Sequence, residues 1–182
     1  MANNIHKYTV QEAANIAAQP RVIDVNCTTD SGDHDIDDVI FNWTEVSNWS
    51  RNNGEACELL SAVCWLPAAF GDRNASIQLI FCRGTGDDGN APTGPQRLGA
   101  LDGAIDITRA EAGLVKICGD LMIGGNQDDL ILSSIASSPE HVGLIMAPAI
   151  NSTSLYVAGV VRKEPGAAFT DSTIPLYLGV RG

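Results

Sequence analysis

The sequence predicts an all-β fold, a β-sandwich or jelly-roll-like domain preceded by an arm with a short N-terminal helix. Two observations carry this. From Leu114 to Gly182 the chain proceeds in short apolar runs, LVKIC, DLMIG, DLILSS, GLIMAP, SLYVAGVV and IPLYLGV, each stopped by Gly, Pro, Asn or Asp. Many short strands separated by turn residues belong to sandwiches and barrels rather than to alternating α/β folds. Upstream, RVIDVNC (21–27) and DVIFNWTEV (38–46) are dense in the β-branched and aromatic side chains that pack well on a pleated surface. With 182 residues, 45% of them apolar, the chain is long enough for one domain with a sizeable core.

The elements follow in order. Thr9 and Glu12 are spaced as a capping box, and VQEAANIAAQ continues with helix formers until Pro20, which predicts a helix over 10–19. Its stripe of Val10, Ala13, Ala14 and Ala17 is thin, so the helix needs a surface to dock on, and residues 1–20 read as an arm. Residues 21–182 read as a single β-rich domain. The acidic stretch from Thr28 to Asp37 separates the first two strands. In GEACELLSAVCWL (54–66), Cys57, Leu60 and Cys64 share a helical face, while LLSAVCWL equally suits a buried strand; strand is the reading preferred. SIQLIFCR (76–83) follows the turn residues Gly71-Asp72-Arg73-Asn74 and is expected to close a hairpin on the preceding run. Residues 84–103 hold six glycines and two prolines with few apolar side chains; a loop of that length inside a domain is unusual and often functional.

Charge narrows the partners. Eleven basic residues against 22 acidic ones leave a net charge of −11, with an isoelectric point near 4.4. Lysine occurs only at positions 7, 116 and 163 and the arginines are scattered, so no basic patch is offered to duplex DNA or to an anionic membrane. The opening MANNIHKYTVQEAANIAAQP has no apolar signal-peptide core, and synthesis in the cytosol is expected. On that expectation the five sequons, at Asn26, Asn42, Asn48, Asn74 and Asn151, are compositional accidents. Five well-separated cysteines, Cys27, Cys57, Cys64, Cys82 and Cys118, suit buried thiols better than a disulfide framework.

Each motif that carries chemistry has a plainer competitor. Gly84-Thr85-Gly86-Asp87-Asp88-Gly89 is a literal GxGxxG after a strand, but Asn90-Ala91-Pro92-Thr93-Gly94-Pro95 cannot continue the helix whose N-terminus would face a phosphate, so a loop is expected. Asp33, Asp35 and Asp37 alternate and offer oxygen ligands to Ca²⁺, with His34 available to a transition metal. An EF-hand starting at Asp33 would need Gly at Asp38 and a carboxylate at Thr44; a solvated acidic face is preferred and no metal is assigned. The histidines His6, His34 and His141 lie in no hydrolase motif, and no CxxC pair is present, so neither a catalytic residue nor a cofactor is assigned. Trp43, Trp49 and Trp65 are candidates for a sugar-stacking platform, but tryptophans of a β-rich domain more often sit in or beside the core; Trp49, in the polar stretch NWSRNNG, is the one to test for ligand contact.

The signal-less start, the Gly/Pro-rich loop at 84–103 and the strand-rich tail SLYVAGVVRKEPGAAFTDSTIPLYLGVRG together resemble the capsid decoration, or cement, proteins of tailed bacteriophages. The resemblance implies a non-enzymatic virion protein, made in the host cytoplasm, that binds the major capsid protein on the capsid surface and stabilises the shell, often as a homotrimer. A carbohydrate- or receptor-binding β-module of a phage tail and a small hydrolase with a dispersed site are the competing expectations. On the decoration reading the arm and the 84–103 loop are the reaching elements. Deleting residues 1–20 should then weaken shell or trimer association without unfolding the domain, which sedimentation of the truncated chain with shells would measure.

Overall fold

The computed structural model describes residues 19–30, 32–66, 76–125, 135–138, 142–163 and 172–182. All but the last residue of the expected 10–19 helix lies outside them, as do His6, His141 and the run DLILSS. The described residues form nine strands: β1 (Arg21–Thr28), β2 (Val39–Val46), β3 (Cys57–Trp65), β4 (Ser76–Cys82), β5 (Ile117–Gly125), β6 (Ile135–Ser137), β7 (Leu144–Met146), β8 (Leu155–Lys163) and β9 (Thr173–Arg181). A helix, α1 (Arg109–Val115), and a 3₁₀ turn (Gly94–Gln96) accompany them among the described residues. The all-β, sandwich-like expectation is therefore borne out.

Every strand ladder is antiparallel. Hydrogen bonds run through the strands in the order β1-β9-β3-β6-β5-β4-β8-β2, with β7 also paired to β3. The path folds into two halves, β1-β9-β3-β6 and β5-β4-β8-β2, hinged where Ala136 and Ser137 pair with Gly125 and Gly124. At the far end β1 lies against β2. Alternation decides which side chains enter: in β9 Ile174, Leu176, Leu178 and Val180 point inward and are fully buried. They meet Cys27, Leu59 and Cys64 of their own half, and Leu79, Phe81, Leu155 and Val157 of the other, in one continuous core.

Proline in a strand interior removes a ladder donor, yet β9 carries Pro175. It stands opposite Asn26 of β1, just before the ladder with β3 begins at Leu176 and Cys64. The strand accepts it where only one neighbour is paired.

Three sequence expectations need correction. The run SIQLIFCR does not close a hairpin on β3: β4 pairs with β5 and β8 in the opposite half, because β9, β6 and β7 already occupy the edges of β3. LVKIC is not one strand. Leu114 and Val115 end α1, Lys116 turns the chain at φ 52°, and β5 starts at Ile117. Residues 84–103, expected to reach outward, lie back on the sheet.

That last feature gives the fold a third layer. β8 is buried on both faces, so its outer side needs a cover. Leu98 packs there on Val39, Ala158 and Val160, flanked by Trp43, Ile80, Leu101, Ile105 and Ile107. Polar bonds fix this roof: Asn42 donates to the Gly99 carbonyl at 2.8 Å and accepts from the Leu98 amide at 3.0 Å, while the Trp43 indole donates to the Gln96 carbonyl at 2.8 Å. α1 completes the roof, capped by Thr108, whose hydroxyl accepts from the Glu111 amide while the Glu111 carboxylate accepts from the Thr108 amide. Val115 then packs on Cys82 and Tyr156.

Gly159 of β8 faces Phe41 across a bulge in β2. A Cβ at this position would stand 2.4 Å from Phe41 Cε1 and 2.7 Å from Ile40 Cγ2, so the phenyl ring fits only because the side chain is absent. Gly159→Ala should cost about 1–3 kcal/mol through overpacking, measured by urea denaturation with the denaturant slope unchanged.

Candidate functional site

Two places invite function: the unroofed sheet face, and a His–Asp cluster where two loops meet. The unroofed face belongs to β1, β9 and β3. Its outward residues follow from register: Val22 stands opposite Gly179, Tyr177 is flanked by Asp24 and Val63, and Pro175 stands opposite Asn26. Val22 is 67% exposed, Trp65 48% and Tyr177 38%. Among the described residues, no element packs over this row as 83–115 packs over β8. At one end Arg181 pairs with Glu58, which leaves a charged border to an apolar and aromatic strip.

The tryptophans thus do not form a platform. Trp49, the one singled out to test for ligand contact, is fully buried, as core packing has it; its indole donates to the Met146 carbonyl at 3.0 Å and its ring centre lies 6.5 Å from that of Phe81. Asn48, Arg51, Asn52 and Asn53, the polar neighbours that suggested exposure, turn outward although Ser50 is buried, while the guanidinium of Arg21 binds the carbonyls of Asn48, Trp49 and Gly182 and ties the turn to the C-terminus. Trp43 lies under the roof. Trp65 alone of the three is largely exposed, and nothing in its setting LLSAVCWL announced it.

The GxGxxG segment is a tight turn, as its missing helix led one to expect. Thr85 and Asn90 exchange backbone hydrogen bonds at 2.8 and 3.0 Å, and Gly84, Gly86 and Gly89 all have positive φ. A side chain at Gly84 would stand 2.6 Å from the Asn90 carbonyl, and the Gly89 carbonyl accepts from the Tyr156 hydroxyl. These glycines are explained by the turn and its packing.

In the acidic loop the alternating set Asp33, Asp35 and Asp37 does not converge. Asp33 and Asp35 are exposed, and Asp37 forms an ion pair with Arg162. His34 instead turns inward, 3% exposed, with Nδ1 3.3 Å from Asp102 Oδ1. Asp38 completes a group whose three donor atoms lie within 4.8 Å of one another. Backbone pairing sets this up: the Val39 amide donates to the Gly103 carbonyl, and the Asp102 amide donates to the Val39 carbonyl. Asp38 also accepts from the Asp35 amide at 2.8 Å, which orients its carboxylate. Sequence reasoning found His34 and included Asp38 in the acidic stretch 30–38 without naming it as a ligand, but missed Asp102, which lies in a different loop.

The five cysteines are all thiols, as expected. Burial pushes Cys27 and Cys82 up to about 12, and drives Cys64 well above its ordinary value, so none of these three offers a thiolate at neutral pH. Cys118, half-buried, is pushed up to about 11. Among the described residues, no helix is long and apolar enough to cross a membrane. The chain matches no protein-family model and no curated protein.

Proposed function

We propose that this protein is a non-enzymatic structural protein that docks on a larger protein shell through the outer face of β1, β9 and β3, the shell being a phage capsid as the sequence resemblance implies. The unequal treatment of the two outer sheet faces carries this reading. One is roofed by residues of the chain itself, while the other presents Trp65, Tyr177 and Val22 to solvent. Aromatic side chains bordered by polar groups are the usual anchors of protein interfaces. Symmetry would repeat a modest contact many times over a shell, so each single contact need not be strong. The net charge of −11 favours a shell surface carrying basic residues.

The test is co-sedimentation of the purified protein with empty shells assembled from a phage major capsid protein. Trp65→Ala and Tyr177→Ala should each weaken binding by roughly tenfold or more, as interface anchors do, while thermal stability stays close to wild type. Failure of the wild-type protein to bind such shells would remove the reading. Exposed Trp65 also suits the glycan-binding alternative, and a glycan-dependent change in tryptophan emission that Trp65→Ala abolishes would favour it instead.

A further inference from the structure

We propose that His34, Asp38 and Asp102 form a binding site for a divalent transition-metal ion, zinc in the first instance, that clips the loop before β2 to the loop at 99–104. This goes beyond shell docking and stands independently of it.

The donor set is the first argument. One imidazole and two carboxylates suit zinc, which takes N and O ligands at about 2.0–2.2 Å, and do not suit calcium, which collects six to eight oxygens. Spacing is the second. Two ligands about 2.1 Å from one tetrahedral ion stand roughly 3.4 Å apart. The 3.3 Å between His34 Nδ1 and Asp102 Oδ1 is already that edge. All three donor atoms lie within 4.8 Å of one another, a span that one ion can bridge after side-chain adjustment. A fourth position would fall to water, since Asp102 faces solvent while His34 is enclosed.

The supporting shell is the third argument. Asp38 keeps one oxygen on the Asp35 amide, which leaves its other oxygen for a metal and holds the carboxylate in orientation. Asp102 is held by its amide on the Val39 carbonyl, in a left-handed backbone conformation at φ 54°. The field is the fourth. Asp33, Asp35 and Asp37 share the loop, and Arg162 pairs with Asp37. Negative charge gathered in this way attracts a cation before any ligand is bound. An ion there would join residues far apart in the chain and restrain both loops.

A plain His34–Asp102 hydrogen bond predicts no metal affinity, so titration separates the two. The full chain, stripped with chelator, is titrated calorimetrically with Zn²⁺, Mn²⁺ and Ca²⁺. One equivalent of Zn²⁺ should bind, more tightly than Mn²⁺, with Ca²⁺ weakest. His34→Gln and Asp102→Asn should each weaken Zn²⁺ by about 100-fold or more, whereas the Asp33→Asn, Asp35→Asn double variant should bind within about threefold of wild type. Should either ligand variant fail to fold, Co²⁺ in the wild-type chain decides: a tetrahedral visible spectrum without a thiolate charge-transfer band supports the site. Absence of saturable Zn²⁺ binding, equal affinity in folded His34→Gln, or a thiolate band that places the metal on the cysteines would overturn it.

Discussion

Trp49→Ala is expected to destabilise the protein by about 3–5 kcal/mol, a large fraction of the 5–15 kcal/mol that holds a typical domain together. The indole is fully enclosed at the end of the sandwich and packs toward Phe81, so truncation leaves a cavity that rigid strand ends cannot fill. It also orphans the Met146 carbonyl, which accepts the indole proton at 3.0 Å. Trp49→Phe keeps most of the packing and loses that proton, and should cost about 1–3 kcal/mol, the penalty of one buried unsatisfied acceptor. Trp65→Ala supplies the contrast: at 48% exposure on the open face it should change stability by less than about 1 kcal/mol. Urea denaturation followed by far-ultraviolet circular dichroism measures all three without relying on tryptophan emission. If Trp49→Ala were as mild as Trp65→Ala, the end of the core would not be built as described.

That contrast also shows what could be read from the sequence. Local composition placed Trp49 outside because its neighbours are polar, but its position is decided by Arg21 and Met146, respectively 28 and 97 residues away. The strands were legible wherever alternation or a dense β-branched run was present, as in β1, β2, β8 and β9. The ambiguous segment at 54–66 proved to be strand β3, whose inward residues alternate on either side of the bulge near Leu60. α1 was legible and overlooked. Thr108 and Glu111 repeat the spacing noticed at Thr9 and Glu12, and the apolar run LVKIC hid the boundary.

The roof was harder to see, because Leu98, Leu101, Ile105 and Ile107 pack from irregular backbone and leave no period to detect. Its one advance sign was the unbroken run in SLYVAGVV, since a strand apolar on both faces needs a layer on each. The His34 cluster left less trace still. A histidine among aspartates drew notice, but Asp102 enters through the pairing of 101–104 with 38–39, which only the folded chain reveals.

Alkali should unfold this protein steeply, and the thiols set the direction. Cys27 and Cys82 are raised from an ordinary value of 9 to about 12, and Cys64 is raised well above 9, all by desolvation in an interior where they are 0% exposed. A group whose ionisation is suppressed in the fold contributes stability that is fully present below the unfolded value. It is lost as pH climbs toward the folded value. Between pH 9 and about 12 the unfolded chain releases these protons and the folded chain does not, so the balance moves toward unfolding. Cys27 and Cys82 each contribute about 1.4 kcal/mol per pH unit in that window, about 3 kcal/mol per unit together, and Cys64 acts in the same direction. Stability measured by urea denaturation should therefore be flat in this term from pH 7 to 8.5 and fall sharply above 9. Cys82→Ala should cost some packing at every pH yet reduce the slope above pH 9 by about 1.4 kcal/mol per unit, because one titrating group has been removed. Alkylation gives an independent check: partly exposed Cys118 should react first, and Cys27, Cys64 and Cys82 only as the whole domain opens. An unchanged alkaline slope in Cys82→Ala would mean that its thiol ionises as readily in the fold as in the open chain.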